Sequence, residues 1–82
     1  MQPSARDYKS QLQEYTQGTL GLVPSYGVKA ESGPEHKKVF DVVVSIGGDV
    51  TGRGTGPSKK SAEQEAARIA LDKVNAERSC ES

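Results

Sequence analysis

An α+β domain is predicted, a three-stranded antiparallel sheet with two helices packed on one face, in the order helix, strand, strand, strand, helix. Three observations predict it. Apolar residues recur at helical spacing near both ends of the chain, they alternate at strand spacing through its middle, and Gly- or Pro-containing turns separate the strand candidates. Eighty-two residues suffice for one such unit and its single small core, and are too few for two. We divide the chain into a linker over 1–6, the domain over 7–76 and a flexible, patternless tail over 77–82.

The first helix is expected over Asp7 to Gln17, where Tyr8, Leu12 and Tyr15 share one stripe and Gly18 offers a stop. After a loop from Leu20 to Pro24, Tyr26, Val28 and Ala30 alternate with Gly27 and Lys29 as one half-buried strand. Ser32-Gly33-Pro34-Glu35 reads as a turn. The second strand, Val39 to Ile46, sets Phe40, Val42, Val44 and Ile46 on one face and Asp41, Val43 and Ser45 on the other. Gly47-Gly48-Asp49 turns the chain into a third strand, about Asp49 to Gly54, which is Gly-rich and inferred mainly from the hairpin signal before it. The last helix runs from Ser58 to about Ala76. Its inner face is Ala62, Ala66, Ala67, Ala70, Leu71 and Val74, small enough for the helix axis to come close to the sheet.

Leu, Ile, Val and Phe supply only 15 residues, but the net charge is zero, with 11 basic and 11 acidic side chains, so composition does not argue for disorder. No apolar run nears the roughly 20 residues that span a bilayer, and Met1-Gln2-Pro3-Ser4 has no apolar signal region, so no membrane partner is expected. The single cysteine, Cys80, cannot close an internal disulfide, which fits a reducing, cytoplasmic location.

Charge is unevenly spread. Gly33 to Ala62 holds five bases (Lys37, Lys38, Arg53, Lys59, Lys60) and three acids, whereas Glu63 to Ser82 holds five acids and three bases. A pI near 6.6 argues against a general nucleic-acid binder, so a partner must be selected by geometry as well. The informative segment is Gly52-Arg53-Gly54-Thr55-Gly56-Pro57-Ser58-Lys59-Lys60, glycines followed by two lysines at a helix start. The free N–H groups and positive dipole end there attract anions. Two cations at that pole each cost roughly 0.3–1 kcal/mol when exposed, a cost that a phosphate reverses. The plain alternative is a solvated helix start softened by Glu63 and Glu65. A nucleotide loop fails on spacing, because Lys59 follows Ser58 rather than Gly, and Gly52-x-Gly54-x-Gly56 misses the dinucleotide fingerprint.

The outer face of the first helix groups Ser10, Gln13, Glu14 and Gln17, none cationic and all able to hydrogen-bond, opposite the Tyr8/Leu12/Tyr15 stripe. Such a face suits 2′-hydroxyls and base edges in the wide minor groove of an RNA helix, although an ordinary wet helix face looks the same. The turn carrying Pro34, Glu35, His36 and Lys37 presents polar groups and one imidazole, which is either an RNA contact or simply solvated. With no second histidine, His36 makes no metal site. The carboxylates show no paired spacing and no nucleophile has a base, so no catalytic residue is assigned.

Together DYKSQLQEYTQ, Pro24-Ser25-Tyr26, GPEHKKVFDVVV and GRGTGPSKKSAEQEAARIAL closely resemble the double-stranded-RNA-binding domain, and in detail the C-terminal one of bacterial ribonuclease III. The resemblance covers about Asp7 to Val74 and implies the αβββα fold. It also implies three RNA-facing regions: Ser10, Gln13, Glu14 and Gln17 on one minor groove; Pro34, Glu35 and His36, with the adjoining Lys37, on the next; and Ser58, Lys59, Lys60 and Gln64 at the second-helix start on the intervening major-groove phosphates. The carboxylate-bearing nuclease domain that precedes this module in ribonuclease III is not in the sequence. The resemblance therefore implies a module that binds duplex RNA without cleaving it, monomeric alone and needing no cofactor. It implies a homodimeric parent whose nuclease domain uses magnesium. A domain of the same fold kept for protein–protein association is the alternative, and it calls for an exposed apolar face that the sequence does not make evident.

Overall fold

In a computed structural model, described here for residues 7–80 of the backbone and 7–76 of the side chains, the expected element order is observed. Helix α1 spans Tyr8–Thr19, strands β1, β2 and β3 span Ser25–Ser32, Val39–Ile46 and Asp49–Gly56, and helix α2 spans Lys59–Cys80. The strands form an antiparallel sheet in the order β1-β2-β3, and both helices lie against the same face of it. A short 3-10 turn, Glu35–Lys37, sits in the β1–β2 connection. The linker assigned to 1–6 and the last two residues lie outside the described residues.

The core follows the sequence periodicities where these are strong. Val42, Val44 and Ile46 of β2 are buried, and they meet Leu12 of α1 and Ala62, Ala66, Ala67 and Ala70 of α2. Fully burying a Val or Leu side chain stabilises by roughly 1.5–3 kcal/mol, so these few residues carry much of the fold. Tyr8 and Tyr15 are only half-buried, and the second fully buried position on α1 is Thr16, whose hydroxyl donates to the Gln13 carbonyl at 3.3 Å. The inward stripe is therefore Tyr8, Leu12, Thr16, with Tyr15 at its margin.

Four local expectations change. Asp7 precedes α1 as its cap, its carboxylate accepting from the Ser10 N–H at 3.3 Å, rather than being its first residue. Gly18 lies within α1, and Gly21 ends it: the Leu20 N–H makes the last helical bond to the Thr16 carbonyl, and the left-handed backbone of Gly21 (φ 72°) lets the Leu22 N–H reach the same oxygen. Strand β3 continues to Gly56. Helix α2 continues to Cys80, beyond the Ala76 at which its apolar pattern stops.

The two strand pairings each contain a bulge, and these decide which side chains face the helices. In β1 the register shifts between Val28 and Ala30, so Val28 pairs with Val42 and Ala30 with Asp41. Ala30 therefore turns to the open face, and Val28, on the helix side but beyond its cover, stays 42% exposed. The single alternating strand read from Tyr26, Val28 and Ala30 is broken there. In β3, Val44 pairs with Gly52 and Ser45 with Val50, leaving Thr51 as the extra residue. A one-residue slip exchanges the two faces of a strand, and this one turns Gly52, Gly54 and Gly56 toward α2.

Those glycines allow the alanine face of α2 to rest on the backbone of β3. A Cβ built on Gly52 would stand 2.5 Å from the Ala66 carbonyl oxygen. One on Gly54 would meet the Ala66 nitrogen at 2.3 Å, and one on Gly56 the Ala62 nitrogen at 2.9 Å. No side chain fits between the two backbones. The alternating glycines thus serve helix–sheet contact.

Tyr26 supplies a stability test. Its half-buried ring packs against the core while its hydroxyl, out of solvent, has no hydrogen-bond partner among the described residues. Burial, with the Glu63 and Asp7 carboxylates nearby, pushes its pKa up to about 12. Tyr26→Phe removes the unsatisfied group and keeps the ring, so thermal unfolding is expected to show unchanged or higher stability, by up to about 1 kcal/mol. A clear loss would mean that the hydroxyl has a partner.

Candidate functional site

The antiparallel meander places the β1–β2 connection and the start of α2 at the same end of the sheet, since Ser32 pairs with Val39 and Phe40 with Gly56. Helix α1 brings its first turn to the first turns of α2. The Tyr8 N–H donates to Gln64 Oε1 at 2.8 Å, and Lys9 Nζ reaches Glu63 Oε1 at 2.6 Å. The β1–β2 connection, the start of α2 and the first turn of α1 therefore sit toward one end of the molecule, and the outer face of α1 runs away from it toward Gln17.

Two of the regions meet directly. Ser10 and Gln13 from α1 and Lys60 and Gln64 from α2, with Asp7 and Lys9, line one shallow depression of about 310 Å³. Beside it, Tyr8, Ser58, Lys60, Ser61, Gln64 and Glu65 line a second of about 340 Å³. Glu14 and Gln17 are exposed farther along the same outer face of α1, and Gln13 Nε2 faces Gln17 Oε1 at 3.5 Å. Pro34 and the 3-10 turn Glu35, His36 and Lys37 that it precedes form a separate, exposed connection. Gly33 makes that connection possible: it has φ 89°, and a Cβ on it would stand 2.5 Å from the Lys37 carbonyl oxygen.

Two of the twelve candidates have evident work within the fold. Ser58 caps α2, its hydroxyl accepting from the Ser61 N–H at 3.1 Å and its carbonyl from the Ala62 N–H at 2.9 Å. Gln64 joins α1 to α2 through both ends of its amide, accepting from Tyr8 N–H and donating to Asp7 Oδ1 at 3.1 Å. Lys59 and Lys60 are exposed, and among the described residues neither has a carboxylate within ion-pair distance. Their own N–H groups precede the first helical hydrogen bond, so charge and free donors coincide.

The charge map sharpens in the same way. Glu63 is engaged by Lys9, and Glu65 by the Arg68 guanidinium, which holds its carboxyl below the usual range. Neither softens the lysine pair as a solvated-helix reading requires. Of the five bases between Gly33 and Ala62, Lys38 pairs with Glu31 at 3.5 Å and Arg53 with Asp41, Nε to Oδ1, at 2.9 Å. Lys37, Lys59 and Lys60 remain unpaired among the described residues, all at the same end of the sheet.

Sequence reasoning missed Asp7 and Lys9. Lys9 is engaged within the fold, bonded to Glu63 and standing 4.9 Å from the centre of the Tyr26 ring, even though it lines the depression. Asp7 accepts from the Ser10 hydroxyl at 2.9 Å as well as from Ser10 N–H and Gln64, and these bonds lower its pKa. An acidic residue directly before a helical stripe was the available signal.

The family model described as double-stranded RNA binding motif matches residues 8–74. A ribonuclease 3 of Wolinella succinogenes is 54% identical over 67 residues, 82% of this chain and 28% of the relative. One of Leptospira interrogans is 51% identical over 71 residues, 87% of this chain and 29% of the relative. The chain thus spans less than a third of the length of these relatives. Among solved structures, Arabidopsis HYL1 superposes with a TM-score of 0.71 at 37% identity, over 83% of this chain and 96% of that one. Dicer from Pichia stipitis gives 0.67 at 37% identity, over 82% of this chain and 32% of that one.

Proposed function

The chain belongs to the double-stranded RNA binding motif family, and from that premise we propose that it holds duplex RNA by shape, through two successive minor grooves and the phosphates of the major groove between them. In this reading Ser10, Gln13, Glu14 and Gln17 meet one minor groove, Pro34, Glu35, His36 and Lys37 the next, and Lys59 and Lys60 the phosphates. Ser58 and Gln64 hold the lysine-bearing turn in place. The observation that carries it is the shared depression in which the hydrogen-bonding face of α1 and the unpaired Lys60 of α2 come together. A neutral chain that leaves Lys59 and Lys60 unpaired beside a polar helix face binds a backbone of matching geometry better than it binds charge in general.

The module serves as the substrate-binding part of a ribonuclease III, cytoplasmic, monomeric by itself and homodimeric in its parent. Hydrolysis and the magnesium it needs belong to the parent's nuclease domain. No group of three His, Cys, Asp or Glu that could hold a metal occurs among the described residues, and the described helices are not long and apolar enough to cross a membrane. Titration with an RNA duplex of roughly 16 base pairs and with its DNA counterpart tests the reading. Clear preference for RNA is expected, and equal affinity would reject shape selection.

One observation favours association with another protein as a second reading. Leu20, Leu22, Val23 and Val50 are 51, 38, 58 and 58% exposed. Leu20 and Val50 line a hollow with Ile46 and Val74, and with Asp49, Thr51 and Lys73, at the β2–β3 end away from Lys59 and Lys60. Exposed apolar side chains that the sequence did not make evident as a surface feature are therefore present at that end. Concentration-dependent association that persists when RNA is bound would support this second role.

A further inference from the structure

Asp7 does more than cap α1. Oδ2 takes the hydroxyl proton of Ser10 at 2.9 Å, while Oδ1 accepts from the Ser10 N–H and from Gln64 Nε2. Gln64 in turn fixes the Tyr8 N–H from the other helix. The carboxylate is thereby anchored from α2, and Ser10 lies on the exposed face at the rim of the depression that also holds Gln13 and Lys60. A serine hydroxyl has one proton and two lone pairs. With the proton held by an acceptor-only carboxylate, what Ser10 leaves for a ligand is lone pairs.

The minor groove is where that polarity matters. A DNA minor groove shows acceptors, adenine N3 and thymine O2, and one donor, the guanine amino group. An RNA minor groove adds a 2′-hydroxyl on every residue, which can donate. We infer that Asp7 is a specificity-determining positioning residue: by holding the Ser10 proton it makes this point of α1 an acceptor that receives a ribose 2′-hydroxyl as donor. The inference rests on the duplex-RNA reading above. Glu14, whose carboxylate oxygens accept one turn farther along the same exposed face, extends the same polarity.

Asp7→Asn isolates the effect. Asparagine caps a helix about as well as aspartate, and its Oδ1 still accepts from Ser10 N–H and Gln64. Its amide, however, donates to the Ser10 oxygen where the carboxylate accepted, so the hydroxyl proton is released outward. The intact chain, its Asp7→Asn and Ser10→Ala variants and the double variant are titrated with an RNA duplex of roughly 16 base pairs and with the same duplex carrying 2′-fluoro riboses, which cannot donate. Asp7→Asn is expected to weaken RNA binding about 3- to 10-fold with an unchanged salt slope and at most a small fall in melting temperature. The 2′-fluoro duplex should cost wild type more than it costs Asp7→Asn, and Asp7→Asn should add nothing in the Ser10→Ala background. Equal RNA affinity of wild type and Asp7→Asn, or an undiminished loss in the Ser10→Ala background, overturns the inference while RNA binding by wild type stands. A wild-type chain that does not distinguish RNA from DNA rejects the underlying reading and this inference with it.

Discussion

Gly54→Ala is expected to destabilise the domain by about 3 kcal/mol or more, enough to leave much of the chain unfolded. The added methyl would stand 2.3 Å from the Ala66 nitrogen, 2.7 Å from the Glu65 carbonyl carbon and 2.8 Å from the Ala62 carbonyl oxygen. All three are backbone atoms within one helix, so no side chain can swing aside. Relief requires α2 to lift from β3, which opens the contact of Ala62, Ala66 and Ala70 with the sheet. A domain of this size has roughly 0.05–0.15 kcal/mol of stability per residue, and the loss consumes a large part of it. Gly27→Ala is the matched control: it is also a strand glycine, with nothing within 4 Å of the added carbon and no left-handed backbone, and should move stability by no more than about 0.5 kcal/mol. Urea unfolding followed by circular dichroism reads both. Equal stability of the two variants would show that α2 and β3 do not touch through their backbones.

Replacing Lys59 and Lys60 together by alanine is expected to weaken duplex-RNA binding roughly 10- to 100-fold at moderate salt, on the scale of one or two charge-assisted phosphate contacts. The dependence of log affinity on log salt should become shallower by about one unit for each phosphate no longer neutralised. Stability is expected to move the other way. Both lysines are exposed at the positive end of α2, and removing them relieves roughly 0.3–1 kcal/mol each. A variant that is more stable and binds more weakly separates a binding role from a folding role. An unchanged salt slope would remove these lysines from the phosphate contact. Sequence-independent weakening is expected too, since phosphate contacts position a duplex and do not read bases.

The periodic segments were legible because their information is local. Val42, Val44 and Ile46 alternate with Asp41, Val43 and Ser45 in the sequence and alternate between core and open face in the structure. Ala62, Ala66, Ala67 and Ala70 of α2 recur at helical spacing and are buried. The polar face of α1 and the lysine pair of α2 were likewise readable as exposed, since each lies opposite or outside an apolar stripe on its own helix. Gly52, Gly54 and Gly56 were visible too, but their meaning was not. Beside two lysines they suggested an anion cradle, and only the α2 backbone at their shoulders gives them another purpose.

Sequence by itself thus determined the order of the elements, the face that each strongly patterned segment buries, and the family to which the chain belongs. Tertiary structure alone decided the rest. The bulges at β1 and β3 choose which of two opposite side-chain sets meets the helices, and a Gly-rich strand has too little apolar contrast to choose for itself. The bonds of Asp7 to Gln64 and of Lys9 to Glu63 join residues 57 and 54 positions apart, and no spacing rule along one helix or strand reaches so far. Periodicity states which residues share a face. Only the packed neighbour determines what that face touches, which protons it holds, and which of its charges remain for a ligand.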